Sequence, residues 1–581
     1  MRISKVDIVG FRNFANVSLL LDDKTLILGA NDTGKTNLLY ALRLLLDPDM
    51  SARNFDLDAS DFNVESGVDE VCVTAYLDDV HEPCLISTFG GKCRDGRVVI
   101  RFVSKLGGDY SFYTGPNDDE LDKVDTRYYI KHLRMEYVGG ARDVTSYLKR
   151  EQKAILESSK AALSETEYDA DLCSVNAIQR TLASLNDSIG KLNYVSKSMA
   201  EVNEEMGRLT SGSEGYEARL IAGNTDAGKL LDNLRLAYMR GSDSLTFGGD
   251  GRNNQRFFAT WLSQRGAAPA AERVSVIAIE EPEAHLHPHQ QRRLAEYLSG
   301  HFEGQVLLTT HSPQIAERFA SGSIVRLKKS AKGTEAIYTN QEVSKAISDM
   351  GYRINAISSE LFFSDAVLLV EGPSERTLYR ALGRVLDIDC DRENISVISV
   401  DGIGFKPYVA CCEALGIPWA VRTDNDVFKI RGREQFRLAG LARAVDIAEC
   451  AGRQKVVDAW KTYGADADQL DDECVGEDKR EMLARMRILL EAEGIFLAQK
   501  DLESDLIDGP LRKALSVFFG EDQRDSLYSQ MTFRKAENMH EFITTSGADL
   551  SVLEADDIAA PLRAVSAMVP KHEEQRNAES D

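Results

Sequence analysis

The order of its chemistry-bearing motifs constrains this chain more than any other feature. Gly29-Ala30-Asn31-Asp32-Thr33-Gly34-Lys35-Thr36 satisfies Gly-x-x-x-x-Gly-Lys-Thr between the apolar run Thr25-Leu26-Ile27-Leu28 and a helical pattern over Leu38 to Leu46. A second apolar run, Val274 to Ile279, ends in Glu280-Glu281-Pro282-Glu283. A third, Ala366 to Val370, ends in Glu371-Gly372-Pro373-Ser374-Glu375, and Trp419-Ala420-Val421 leads to Asp424-Asn425-Asp426. Apolar strands that hand over to glycine or acid mark parallel α/β sheets, whose ligands gather at the carboxyl edge. The chain therefore reads as two α/β units in series, the first split by a long insert.

Each motif has an expected role. Backbone N–H groups of the glycine loop, from Asn31 to Gly34, cradle phosphates at a helix N-terminus. Lys35 reaches the β and γ phosphates, and Thr36 ligates Mg²⁺. Glu280 holds that Mg²⁺, and Glu281 positions or activates the attacking water. His311, after Leu307-Leu308-Thr309-Thr310, faces the γ-phosphate. In the second unit Glu371, Glu375, Asp424 and Asp426 are hard oxygen donors suited to Mg²⁺ or Mn²⁺. Asp501, Glu503 and Asp505, after Gly494-Ile495-Phe496-Leu497, bring the supply of carboxylates to enough for two cations.

With 581 residues the chain is too long for one core. The expected division is 1–142 for the first half of an ATPase domain and 143–240 for a proline-free helical insert, read as a dimerisation arm. The second ATPase half follows at 241–345, then the metal-binding α/β unit at 346–570 with a helical insertion near 427–495, and a polar tail at 571–581. Residues 68–139 read as mostly β. No run of 18 apolar residues is present, so no membrane span is expected. The start, Met1-Arg2-Ile3-Ser4-Lys5, lacks a signal-peptide pattern, and the nine scattered cysteines form no Cys-x-x-Cys pair. Both point to a reducing cytoplasm. A net charge of −24 speaks against non-specific coating of nucleic acid. It leaves a metal-dependent nuclease open, because bound cations reverse the local field.

The first half resembles the ABC-type ATPase heads of the SMC, Rad50 and RecF group, whose opening is matched by Gly10-Phe11-Arg12-Asn13-Phe14. Two departures stand out. The group's Ser-Gly-Gly-Gln-like signature has only a degenerate counterpart in Thr246-Phe247-Gly248-Gly249-Asp250-Gly251-Arg252, and the Mg²⁺-contacting glutamine is missing, with Asp61 as a stand-in. Nucleotide binding is therefore better supported than fast turnover. Arg142 has no assignable role. The acidic set resembles the Toprim domain of primases, topoisomerases and nucleases. An ABC-like head followed by a Toprim unit resembles the OLD family of ATP-linked endonucleases. Phe496 to Leu506 looks like that family's later acidic motif, and Lys535 falls where the family places a catalytic lysine. Length and the short insert look like the nuclease subunits of Gabija anti-phage systems.

The resemblance implies a metal-dependent endonuclease on double-stranded DNA, controlled by nucleotide, with Glu371, Asp424, Asp426, Asp501 and Lys535 at its catalytic centre. It also implies a homo-oligomer, dimer or tetramer, built through head and insert, and a UvrD-like helicase partner. The alternative is a RecF-like clamp that binds DNA without cutting it.

Overall fold

The computed structural model describes residues 1–140, 156–157, 159–160, 163–209, 218–220, 227–232, 238–240, 243–245, 258, 273–284, 286–319, 323–330, 333–338, 358–402, 404–430, 434–464, 467–470 and 476–569. Two compact units result, Met1–Gly140 with Ala271–Asp581, and Ala141–Ala270.

In the first unit, β1 (Arg2–Phe11) and β2 (Phe14–Leu20) form a hairpin in an antiparallel sheet of order β2-β1-β4-β5-β6-β7. Its remaining members are β4 (Glu70–Asp78), β5 (Val98–Lys105), β6 (Tyr110–Gly115) and β7 (Asp122–Val124). Burial alternates along β2, with Val17 and Leu19 turned inward, as a one-face-buried strand requires.

β3 (Lys24–Gly29) instead joins a second sheet of order β14-β13-β3-β12-β11-β8. It contains β8 (Leu133–Val138), β11 (Val274–Glu280), β12 (Val306–Thr309), β13 (Ser323–Ser330) and β14 (Gly333–Tyr338). All pairings are parallel except β13 with β14. Leu26 to Leu28 and Val276 to Ile279 are fully or almost fully buried, the signature of strands covered on both faces. The helix Lys35–Leu46 buries Leu38, Leu39, Ala41, Leu42, Leu44, Leu45 and Leu46 within one core cluster that draws on both sheets. A helix apolar on most sides must be enclosed, and this one stops at Asp47, where Pro48 follows.

The Toprim-like sheet comprises β15 (Ala366–Val370), β16 (Ile395–Ser399), β17 (Trp419–Thr423) and β21 (Ile495–Leu497), all parallel, in the order β16-β15-β17-β21. Between β17 and β21 lies the insertion expected to be helical. Helices Ala439–Cys450, Gln454–Thr462 and Glu477–Ala492 are there, but so is a small antiparallel sheet of β18 (Val427–Lys429), β19 (Phe436–Leu438) and β20 (Gln469–Leu470). Strands of two or three residues carry too little periodicity to be read from sequence.

The second unit contains the helices Glu165–Gly190 and Asn193–Leu209 and a hairpin of β9 (Tyr238–Arg240) and β10 (Asp243–Leu245). Ser164 and Glu167 form a capping box at the start of the first helix. No described helix is long and apolar enough to cross a membrane.

Candidate functional site

Two centres lie at carboxyl edges of the two parallel sheets. In the head, β3 runs into the glycine loop and the loop into the helix Lys35–Leu46. Gly34 caps that helix with φ 94°, and a Cβ there would stand 2.0 Å from Asn13 Nδ2, so only glycine fits. Asn13 Nδ2 donates to Thr33 O (3.0 Å) and Thr334 Oγ1 (2.6 Å), which ties the loop to the β1–β2 turn and to β14. Lys35 Nζ bonds the carbonyls of Gly29 and Ala30, each at 2.9 Å. Burial pulls this ammonium below its usual range, partly offset by the charges of Glu281 and Glu280. Asn31 is exposed in the loop.

Thr36 and Glu280 meet although far apart in sequence: the hydroxyl of Thr36 donates to one carboxylate oxygen of Glu280, and the Tyr137 hydroxyl donates to the other. A hydroxyl and a carboxylate side by side are the oxygen donors that Mg²⁺ prefers, so the residues fit the ion. Glu281 adopts φ 45°, and its Oε1 lies 3.7 Å from His311 Nε2. Burial and the Lys35 charge lower the His311 pKa, leaving a neutral imidazole at neutral pH. Glu283 accepts from His311 N (2.6 Å) and Thr310 Oγ1 (2.8 Å), fixing the end of β12. Asp61 is engaged by Arg12 Nε at 2.8 Å, which ties up the carboxylate considered as the glutamine's substitute. Arg142 and the stretch Thr246 to Arg252 lie outside the described residues.

At the Toprim rim, Glu371 follows β15, and its Oε1 accepts from Thr423 Oγ1 (2.6 Å) and Asp424 N (2.9 Å) at the end of β17. Asp424 is 8% exposed, and its Oδ1 has no hydrogen-bond partner. Burial, then the Glu371 charge, pushes its pKa up to about 8. Burial also raises Glu375, in the first turn of the helix Pro373–Val385. Asp501 caps the helix Leu502–Asp508 by accepting from Ser504 N (2.7 Å), and its other oxygen accepts from Tyr528 (2.6 Å). Burial works to raise Asp501, but these bonds bring it below the usual range. Glu503 Oε2 lies 2.9 Å from Lys535 Nζ.

The expected acids therefore share one rim, with three differences. Asp505 turns to Arg422 at 2.8 Å, a guanidinium that also lies 3.7 Å from Asp424. Asp426 and Glu371 both contact Arg443. Among the described residues no three His, Cys, Asp or Glu side chains stand close enough together to hold a cation as they lie. The physical reason is mutual repulsion: like charges in a low-dielectric rim separate toward whatever cations are at hand. The buried Oδ1 of Asp424, which no hydrogen bond satisfies, still fits a divalent cation, which would supply the close partner this oxygen lacks.

Sequence reasoning missed Arg443, Arg422, Tyr528, Thr423 and Tyr137. Only Arg422 left a signal, as a charge inside the otherwise apolar Trp419–Thr423 run, all of which is buried.

Comparisons with known proteins find matches in both parts of the chain. Residues 362–426 match the family described as overcoming lysogenization defect protein-like, TOPRIM domain. Residues 1–80 match an AAA ATPase domain, and residues 180–317 match an AAA domain described for the AbiEii toxin of type IV toxin–antitoxin systems. The chain is 25% identical over 578 residues to Endonuclease GajA of Bacillus cereus strain VD045, covering 95% of this chain and 97% of that one. It is 26% identical to the OLD nuclease of Thermus scotoductus, covering 78% of this chain and 89% of that one. It is also 26% identical to the uncharacterized protein YbjD of Escherichia coli K12, covering 73% and 80% respectively. With a glycine loop facing an acidic strand in the head and an acidic rim on a matched Toprim sheet, the chain is similar to nucleases of the OLD family, with an ATPase head joined to a Toprim domain.

Proposed function

We propose that this chain is an endonuclease on double-stranded DNA whose Toprim rim cuts or nicks the strand with Mg²⁺ or Mn²⁺, and whose activity responds to ATP in the head. The relatives named as endonuclease and nuclease support a hydrolase of this class. The observation that carries the reading is the convergence of Glu371, Asp424 and Glu503 with Lys535 at the carboxyl edge of one parallel sheet. Glu371, Glu375, Asp424, Asp426, Asp501 and Glu503 would hold up to two cations, which supply an activated water and neutralise charge on the phosphate. Lys535 is held by Glu503 and its pKa is raised, so it stays an ammonium and stabilises the pentavalent phosphate or the leaving oxygen. In the head, Lys35 and the loop N–H groups bind phosphates, Thr36 with Glu280 would hold Mg²⁺, Glu281 positions water and His311 faces the γ-phosphate.

Anti-phage defence, assembly as a homo-oligomer through head and insert, and a UvrD-like helicase partner belong to the same reading, by likeness to the Gabija-type relatives. A RecF-like clamp without cleavage is favoured by one observation: five of the rim carboxylates, Glu371, Asp424, Asp426, Glu503 and Asp505, already pair with arginine or lysine.

Supercoiled plasmid with Mg²⁺ or Mn²⁺, with and without ATP, separates the two. Wild type is expected to nick only with metal. Glu371→Ala should lose nicking, and Lys35→Ala should keep it while losing the response to ATP. Nicking that persists in Glu371→Ala refers the activity to another site, and binding without any cleavage by wild type favours the clamp.

A further inference from the structure

One residue at the rim has no part in the scheme above. Arg443 comes from the insertion helix Ala439–Cys450, yet its Nη2 donates to Asp424 O (2.8 Å) and lies 3.0 Å from Asp426 Oδ2 and 3.2 Å from Glu371 Oε1. Its side chain is only 11% exposed. Packing delivers it there. Leu441, Ala444, Val445, Ile447 and Ala448 of this helix are buried and hold it in place, and Gly440 lets the first turn press on the acidic loop. A Cβ on Gly440 would meet Asp424 O at 2.3 Å and Asn425 Cα at 2.5 Å, and Gly440 N donates to Asp426 O at 3.1 Å.

Glu371 and Asp426 are thus bridged by a single nitrogen of a single guanidinium. Among the described residues neither carboxylate forms an ion pair with another side chain. Glu503 and Asp505 are different, since Lys535 and Arg422 reach them from elsewhere. A divalent ion held by Glu371 Oε1 and Asp426 Oδ2 would sit against the Arg443 guanidinium, and two cations this close repel. Without either cation, Glu371 and Asp426 stand uncompensated, a costly arrangement.

We propose that Arg443 is a resident counter-ion of the Toprim centre: it fills the gap between Glu371 and Asp426 while no divalent cation is bound, and gives way when one binds. The insertion thereby sets the metal affinity of the site, and the metal in turn sets how firmly the insertion helix is held to the acidic loop. This rests on the metal-centre reading proposed above.

The test measures Mn²⁺ binding by the full chain rather than cleavage. Free Mn²⁺ is followed by electron paramagnetic resonance, and the thermal midpoint is recorded with and without Mn²⁺. Arg443→Met is expected to bind Mn²⁺ about tenfold more tightly than wild type, equivalent to about 1.4 kcal/mol. Its midpoint should fall without metal and recover with it. Arg443→Lys, which keeps the charge but loses the fork, should shift affinity the same way by less and serves if the methionine variant does not fold. Glu371→Ala is the control that should lose Mn²⁺. Wild-type or weaker affinity in both Arg443 variants, with binding still lost in Glu371→Ala, would overturn the counter-ion role and leave the metal centre standing. Absence of Mn²⁺ binding in wild type and in both Arg443 variants would overturn the two together.

Discussion

A charge taken out of water must be met by another, and Arg422 shows how strictly this holds at the rim. Its side chain is 4% exposed, with Asp505 at 2.8 Å and Asp424 at 3.7 Å. Replacing it by methionine strands both carboxylates, and the expected cost is about 3–5 kcal/mol in urea unfolding. Arg422→Met combined with Asp505→Leu should recover much of that loss. A single variant as stable as wild type would show that the pair is not buried in solution. Tyr528 acts more gently. Its hydroxyl holds Asp501, so Tyr528→Phe should slow nicking by about threefold to tenfold, the worth of one hydrogen bond, with DNA affinity unchanged. Equal loss of DNA binding would instead assign the tyrosine to the substrate. These two residues also mark the limit of legibility. The places of Glu371, Asp424 and Glu280 at sheet edges could be read because each comes at the end of an apolar run that forms a strand. Arg443, Tyr528 and Tyr137 could not, because what matters about them is a partner tens to more than a hundred residues away, which no local spacing encodes.

At the level of elements, the long strands and the loop helix were legible because apolar runs of five or more residues leave few options. The pairing was not. β8 lies beside β11 across the whole intervening unit, and only the register Val274 with Leu133 through Ile279 with Val138 shows it. The insertion was legible as helix but not as a supplier of side chains to the rim, which depends on one close approach. Gly440 carries that approach, and Gly440→Ala tests it. The new methyl would overlap backbone atoms of Asp424 and Asn425, so the helix or the loop has to move. The expected result is a stability loss of about 1–3 kcal/mol, as for overpacking in a core, with weaker protection of Asn425 N–H in hydrogen exchange. Unchanged protection and stability would mean that the helix end floats free of the loop.

At the scale of the whole first unit, a buried guanidinium links the head to the Toprim sheet. Arg326 sits on β13, opposite Leu28 of β3, one register step before Gly29 of the phosphate loop. Its Nη2 donates to Ser364 O (2.7 Å) and its Nη1 to Leu415 O (3.2 Å), carbonyls shortly before β15 and β17. The far ends of those two strands carry Glu371 and Asp424. Five extended residues span about 16 Å, so a shift of β13 at the phosphate loop has a short, stiff route to the acidic rim. Ile337 on the neighbouring β14 is seated so near Gly416 that a Cβ there would stand 2.7 Å from its Cδ1, which seals the contact. Arg326→Met removes the donors to buried carbonyls while touching neither centre. It is expected to cost about 2–4 kcal/mol and to split one calorimetric transition of this unit into two. Under the proposed function, metal-dependent nicking should persist at low temperature while its response to ATP shrinks. A single transition at the wild-type midpoint, with the ATP response intact, would show that the two sheets communicate by another path.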